Sequence, residues 1–214
     1  MVELSELDTQ LQLAFELCQI KPEDRLDLLA YLDLLMVKSP VTRIHGQHSI
    51  RVGLKGKDIA DFVHLDRRAL LYAGLTHDLG KCHVPLEVLG KTQGWSEEDA
   101  ELIQSHVMDG YRLLRGRFDF TADTMVLHHK FQANGYPENL PPQLHHYSDT
   151  TQELILEHGR VLALADVYDA LHRENDKFGE KRRLTDSEIR EQMFLLNQDR
   201  EVLVVDLYKA GIFI

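Results

Sequence analysis

The chain has 214 residues, 43% of them hydrophobic, with 24 Lys and Arg against 35 Asp and Glu for a formal net charge of -11. That length buries one sizeable core, with room for a small helical appendage, and does not suit a long multi-domain arrangement. The acidic balance leaves no excess of cations to release counterions from a nucleic acid polymer; a small anionic ligand fits only if metal ions supply the positive field.

In chain order, the opening MVELSELDTQ lacks a basic stretch followed by an apolar run, and the longest apolar run, LLAYLDLLMV, is interrupted by Asp33. Neither a signal peptide nor a membrane span is expected. Residues 1 to about 40 read as a helical pair, the second helix opened by Lys21-Pro22 and closed by Ser39-Pro40. Its stripe is Leu28, Leu29, Leu32, Leu35 and Met36. Helices follow near 45–63, 67–80, 96–114, 120–130, 150–172, 186–196 and 200–211. Ser96 and Thr185-Asp186 are placed as N-caps. QANGYPENLPPQ cannot be helical. Strand-like alternation is scarce, so the fold class is all-α, an N-terminal helical extension over 1–40 and one domain over 41–214, with under a tenth of residues in strands. Cys18 and Cys82 lie far apart, which indicates neither a disulfide nor a thiolate site and fits a cytoplasmic protein.

Twelve histidines are the unusual feature of the composition. In the helix from Ser96 the apolar stripe runs Leu102, Ile103, His106, Val107, Gly110, Leu113, which puts His106 on the buried face. Leu70, Leu71 and Gly74 lead to His77 and Asp78. Leu154, Ile155, Val161, Leu162 and Ala165 lead to Asp166 and, three residues on, Asp169. His48 precedes Val52 on one side of its helix. One histidine on such a stripe is ordinarily a satisfied core residue. Several His and Asp residues on the inward faces of different helices are harder to accommodate, because each buried carboxylate costs several kcal/mol, on the order of a lost ion pair, unless it is paired or metal-bound. A shared metal site resolves them together. Imidazole and carboxylate without thiolate suit Fe, Mn, Zn, Ni or Co. Adjacent His77 and Asp78 diverge if both are helical, so Asp78 is placed to bridge a second ion.

These residues carry a family resemblance. AGLTHDLGKCHVPLEVL, at residues 73–89, resembles the HD signature of the HD-GYP subfamily of metal-dependent phosphohydrolases. The ordered series HSIRV, HDLGK, SEEDAELIQSHVMDGYRLL, HHKFQANGYP and RVLALADVYDAL extends it over roughly residues 41–175. The resemblance implies an HD-domain helical bundle holding a two- or three-metal site, and hydrolysis of cyclic di-GMP to pGpG or GMP; the expected nucleophile is a hydroxide between two divalent transition metal ions. It implies that His48, His77, Asp78 and Asp166 hold one ion, with Asp78 shared, and that His106, His128 and His129 hold the other. Asp78 and Lys81 become the catalytic pair, Lys81 also contacting a substrate phosphate, and Asp169 orients a ligand from behind.

Three departures bear on specificity. The three-metal members have Glu four residues before the first ligand histidine, where this chain has Ile44 beside His45, which favours two ions. The family loop, HHE followed by DGxGYP, is here HHKFQANGYP. One alignment puts Lys130 at the Glu and makes His129 a ligand; the other makes His128 the second histidine and puts His129 at the Glu. Gly135-Tyr136-Pro137 survives in both, and Tyr136 is expected at the substrate. Restoring Glu at Lys130 and Asp-Gly before the GYP loop is expected to raise turnover if that loop is limiting. The RPYR-like segment is replaced by HRENDKFGEKRRL, in which Arg173, Lys177, Arg182 or Arg183 stand in as phosphate contacts or form a solvated charged loop. The expected partner is a small nucleotide; a protein partner at the GYP loop and a homodimer are both compatible with it. The rival readings are an HD-type phosphohydrolase for another nucleotide, and a catalytically weak signalling or binding protein.

Overall fold

Ser39 opens a helix, three residues after the preceding one has ended at Met36. Its hydroxyl accepts from the Thr42 amide while the Thr42 hydroxyl accepts from the Ser39 amide, and Pro40 occupies the first helical position. The expected stop at Ser39-Pro40 is therefore a start, in keeping with proline's preset φ and missing N–H at a helix N-terminus. The same reciprocal capping opens the helices at Ser96 with Asp99 and at Thr185 with Glu188, and Asp66 and Ser148 cap two more.

The computed structural model describes residues 2–91, 93–173 and 183–214, with residues 2–5 described by backbone alone. It comprises α1 (Val2–Leu17), α2 (Pro22–Met36), α3 (Pro40–Val63), α4 (Arg67–Thr76), a 3-10 turn (Leu79–His83), α5 (Leu86–Leu89), α6 (Glu97–Leu114), α7 (Asp119–Met125), α8 (Asp149–Leu171), α9 (Asp186–Leu196), a second 3-10 turn (Gln198–Arg200) and α10 (Glu201–Lys209). There is no strand among the described residues, and the fold is all-α. No helix among them is long and apolar enough to cross a membrane.

Two expected helices are shorter than the apolar pattern suggests. The one over 67–80 ends at Thr76, and the one over 120–130 ends at Met125. In both places the chain stays buried after the helix stops, as Leu79, Val126 and Leu127 show, so hydrophobicity continues where helical geometry does not. His77 and Asp78 are consequently not neighbours on a helix: His77 is the C-cap of α4 and Asp78 leads into the 3-10 turn. In α6 and α8 the stripes hold except at Leu102 and Leu154, which are exposed. The four-residue α5 was not expected.

The core runs between α3, α4, α6, α7 and α8, with α1 and α2 laid against α3. The most extensive helix pair is α3 with α4, and glycine makes it possible. A Cβ on Gly74 would collide with the Gly53 backbone, so the two helices cross there in backbone contact. Gly80, in the 3-10 turn, lies just as closely on the His106 carbonyl of α6. Gly56, one turn beyond Gly53, has nothing nearer than 3.5 Å to the position of an added Cβ.

Gly74→Ala is expected to lower the unfolding free energy by about 1–3 kcal/mol, the usual cost of overpacking a filled contact. Gly56→Ala is expected to leave it unchanged or raise it by up to roughly 1 kcal/mol through backbone entropy. Urea denaturation of the two variants measures the contrast, and equal effects would contradict the tight crossing.

Candidate metal centre

Five elements deliver the side chains. His48 comes from α3, His77 and Asp78 from the end of α4, His106 from the middle of α6, His128 and His129 from the turn after α7, and Asp166 from α8. All but His129 are buried. They form three overlapping groups able to hold a metal ion: His48, His77 and Asp78; His77, His128 and Asp166; and His106, His128 and His129. Within each group the ligand atoms lie within 4.8 Å of one another. Every metal residue expected from the sequence is in this cluster.

The ring protons can be placed from the hydrogen bonds, because a carbonyl only accepts. His77 donates Nδ1–H to Gly74 O (2.8 Å), His128 donates to Met125 O (2.6 Å), and His106 donates to Ile103 O. In each the other nitrogen, Nε2, is left with a lone pair. Nε2 of His106 and Nε2 of His128 face each other at 3.3 Å. Two lone pairs repel at that distance, and a shared proton is disfavoured because burial pulls His106 down to about 3 and His128 down to about 4. Burial also lowers His77. A cation accepted by both nitrogens removes the conflict, so the donor set fits a divalent transition metal.

His48 differs. It donates Nδ1–H to Asp169 Oδ2 at 2.6 Å, and its Nε2 lies 3.0 Å from Asp166 Oδ1 and 3.3 Å from His77 Nε2. Burial works against its charge, yet the two carboxylates raise its pKa. A metal on Nε2 would take the place of a proton there, the usual coupling of metal binding to proton release. Asp78 spans the cluster: Oδ2 faces His48 Nε2 at 3.8 Å, and Oδ1 faces His106 Nε2 at 3.4 Å and His77 Nε2 at 3.6 Å. Burial alone would raise its pKa, but Lys81, His77 and His45 hold it well below the carboxylate range. Asp166 is held low in the same way, against burial, by His48 and His77.

Lys81 Nζ sits 2.6 Å from Asp78 Oδ2 and 3.5 Å from His45 Nδ1. In a 3-10 turn residues i and i+3 eclipse, which stacks this pair. Burial beside Lys81 takes His45 down to about 4, so it is neutral. Behind His48, Arg51 grips Asp169 with two bonds, Nε to Oδ1 at 2.6 Å and Nη2 to Oδ2 at 3.0 Å. Arg51 was not singled out from the sequence. A signal was there: His48 and Arg51 are three apart on α3, as Asp166 and Asp169 are on α8, so two i,i+3 pairs face each other.

His129 accepts at Nδ1 from the Gln132 amide at 2.9 Å, and its ring lies 4.5 Å from that of Tyr136. Its Nε2 becomes a ligand atom when the Gln132 amide is reversed so that oxygen faces Nδ1–H. Lys130 points away from the cluster and donates to Pro137 O (3.0 Å) and Glu138 O (2.8 Å), tying the GYP loop. A glutamate there, without the Asp-Gly change expected alongside it, would face two carbonyl oxygens. Arg173 and Arg183 line the cavity over the cluster, whereas Arg182 and Lys177 lie outside the described residues.

That cavity has a volume of about 1190 Å³ and opens onto His48, Asp78, Lys81, His106, His129 and Asp166, with Tyr136 in its wall. The HD domain family matches residues 46–171, more than half of the chain and inclusive of every candidate ligand. The chain belongs to the HD domain family. The chain is 32% identical over 109 residues to the cyclic di-GMP phosphodiesterase response regulator RpfG of Xanthomonas campestris, covering 49% of this chain and 26% of that protein. It is 30% identical over 132 residues to the 3'3'-cGAMP-specific phosphodiesterase 1 of Vibrio cholerae, covering 58% of this chain and 28% of that protein. The chain thus spans about a quarter of the length of these curated relatives. The crystal structure of the HD domain of the L. monocytogenes phosphodiesterase PgpH has the same fold, with a TM-score of 0.55, 19% identity and coverage of 80% of this chain and 84% of that one. The complex of that domain with cyclic-di-AMP matches at a TM-score of 0.52, with 19% identity and coverage of 86% and 85%.

Elemental analysis is expected to find most of the bound metal lost from Asp78→Asn and retained in His172→Ala, whose ring is tied to Tyr168 O at 2.7 Å away from the cluster. Equal loss from both would reject Asp78 as the shared ligand. Acid stability gives a second check. Asp169 is drawn down to about 2, against burial, by its bonds to His48 and Arg51. A depressed folded-state pKa contributes stability that is present above the unfolded value near 3.8 and is lost as pH falls through the folded one. Asp169→Asn should therefore flatten the fall of the urea midpoint as the pH is lowered from that value toward 2; an unchanged slope would contradict the assignment.

Proposed function

We propose that this HD domain is a metal-dependent phosphodiesterase acting on a cyclic dinucleotide, with cyclic di-GMP hydrolysed to linear pGpG as its principal reaction. The observation that carries the reading is the set of converging Nε2 lone pairs with Asp78 across them, opening with Lys81 onto a cavity of about 1190 Å³. Such a volume lies just above the usual range of small-molecule sites, roughly 300–1,000 Å³, and suits a folded dinucleotide better than a mononucleotide. The relatives named as cyclic di-GMP and cGAMP phosphodiesterases support the substrate class.

In this reading His48, His77, Asp78 and Asp166 would hold one divalent transition metal ion, and His106, His128 and His129 would hold a second, with Asp78 available to both. Metal ions there supply Lewis acidity, which lowers the pKa of water and offsets charge on the phosphoryl oxygens. The side chains do the rest by position. Arg51 fixes Asp169, and Asp169 fixes the Nδ1–H tautomer of His48, so that Nε2 faces inward. Neutral His77, His106 and His128 present lone pairs without first losing a proton. Lys81 sets an ammonium at the cavity wall for a non-bridging phosphate oxygen. Arg173 and Arg183 contribute positive charge at the rim, and Tyr136, kept protonated by burial, packs beside His129 as part of the wall.

Chemically, a water oxygen adds to phosphorus as the P–O3′ bond breaks. The departing 3′ oxygen takes up a proton, leaving a 5′-phosphate on the linear dinucleotide. No side-chain nucleophile is required. Asp78 and Lys81 act on the reacting phosphate's surroundings, one by holding charge and one by adding it.

Turnover of cyclic di-GMP, 3'3'-cGAMP, cyclic di-AMP, pGpG and simple nucleotides by metal-loaded protein tests the reading. Cyclic di-GMP is expected to be the fastest, with pGpG accumulating. The Vibrio relative gives cGAMP a specific claim as the second reading, and faster cGAMP turnover would decide for it. Lys81→Gln is expected to lower kcat by roughly 10²-fold, as loss of one charge-stabilising donor does, while keeping its metal. Binding of cyclic dinucleotides without hydrolysis of any would overturn the activity.

A further inference from the structure

The metal cluster and Lys81 occupy one part of the cavity. The remainder follows α8 toward the end of α9, where the lining changes character. Asp166, Ala163 and Arg160 succeed each other at three-residue steps along α8, so Arg160 lies roughly 9 Å along the helix axis from the metal ligand at 1.5 Å per residue. Phe131 lies against it, and Leu195 and Leu196 also line the cavity.

Two features of this wall are unusual. Leu195 and Leu196 sit at the last turn of α9, 53% and 50% exposed, side by side in the cavity lining. Arg160 is 3% exposed and gives up its charge to the protein: Nε and Nη2 bond the two oxygens of Asp199 at 2.9 and 2.6 Å, and Nη2 also bonds Asn197 Oδ1 at 3.0 Å. Its guanidinium lies over the Phe131 ring, 5.3 Å from the centroid. An arginine held in this way positions an aromatic ring; it is not set out to collect a phosphate.

We propose that this wall seats a purine base of the cyclic dinucleotide whose phosphodiester lies at the metal cluster, with Phe131 and Leu196 as its contact residues and Arg160 as the positioning residue behind Phe131. The proposal rests on the cyclic dinucleotide reading above. The chemistry matches: a base is flat, uncharged and has π faces, and the wall offers an aromatic ring, branched aliphatic side chains and a neutralised cation. Phosphate and ribose find their partners at the other end, at Lys81 and the metal cluster. Phe131 lies two residues after His129, so one turn of chain links the metal end of the cavity to the base end.

The test separates base from phosphate. Binding of GMP and of ribose 5-phosphate to metal-loaded protein is measured by calorimetry for wild type, Phe131→Ala, Phe131→Tyr and Leu196→Gln, alongside KM and kcat for cyclic di-GMP. Leu196 is half exposed, so its substitution keeps the fold intact if Phe131→Ala does not. Removing a base-stacking contact is expected to weaken GMP roughly tenfold, and to raise KM for cyclic di-GMP about as much with kcat changed far less. Ribose 5-phosphate binding should not change, and Phe131→Tyr should restore GMP binding. Leu140→Ala, at an exposed position outside the cavity, should change nothing. Equal loss of both ligands, or no loss of GMP, overturns the proposal. If GMP binding depends on Phe131 while no cyclic dinucleotide is hydrolysed, the base site stands and the proposed activity falls.

Discussion

The whole centre depends on how three buried imidazole rings are pinned. His77, His106 and His128 each donate Nδ1–H to the carbonyl three residues earlier, at Gly74, Ile103 and Met125. That bond selects the tautomer, sets the ring plane and turns Nε2 toward the interior. Buried polar atoms ordinarily find partners; here the inward nitrogens of His106 and His128 face each other, which no hydrogen bond can satisfy while both are unprotonated. The same packing brings the donor atoms of each group within 4.8 Å of one another, a spacing and a chemistry that fit a shared divalent cation.

Holding them there needs backbones closer than side chains normally allow. Gly74 against Gly53 lets α4 cross α3, which sets His77 beside His48, and Gly80 against the His106 carbonyl sets Asp78 beside His106. The apolar frame around these crossings, with Leu70, Leu71, Leu75 and Leu79 fully buried, keeps the approach from relaxing. At roughly 1.5–3 kcal/mol for each such side chain, the frame outweighs the unfavourable burial of several polar groups. Stability and site geometry are therefore the same packing seen from two sides.

Much of this was legible in the chain. A 3.6-residue period that repeatedly places His or Asp where Leu would serve puts His48, His106 and Asp166 on inward helix faces, and the structure has them there. The ends of helices were less readable. His77, Asp78, His128 and His129 lie where helical geometry gives way to tight turns, yet the surrounding residues stay apolar, so pattern alone carried both helices too far. Arg51 could have been found from its spacing to His48, matched by Asp169 to Asp166. The Arg160–Asp199 pair could not: the partners are 39 residues apart and come together only when α9 folds back on α8. Lys130 shows the converse, a family departure whose meaning appears only once its amine is seen tying Pro137 and Glu138.

The most direct measurement is of the histidine tautomers themselves, by two-bond nitrogen–proton correlation spectra of imidazole-labelled, metal-free protein at neutral pH. The account predicts that His77, His106 and His128 are neutral with the proton on Nδ1, and that their Nε2 resonances are the ones that move when metal is added. Imidazolium rings at these positions, or protons on Nε2, would mean that the inward lone pairs do not exist and that the centre is not built to bind metal.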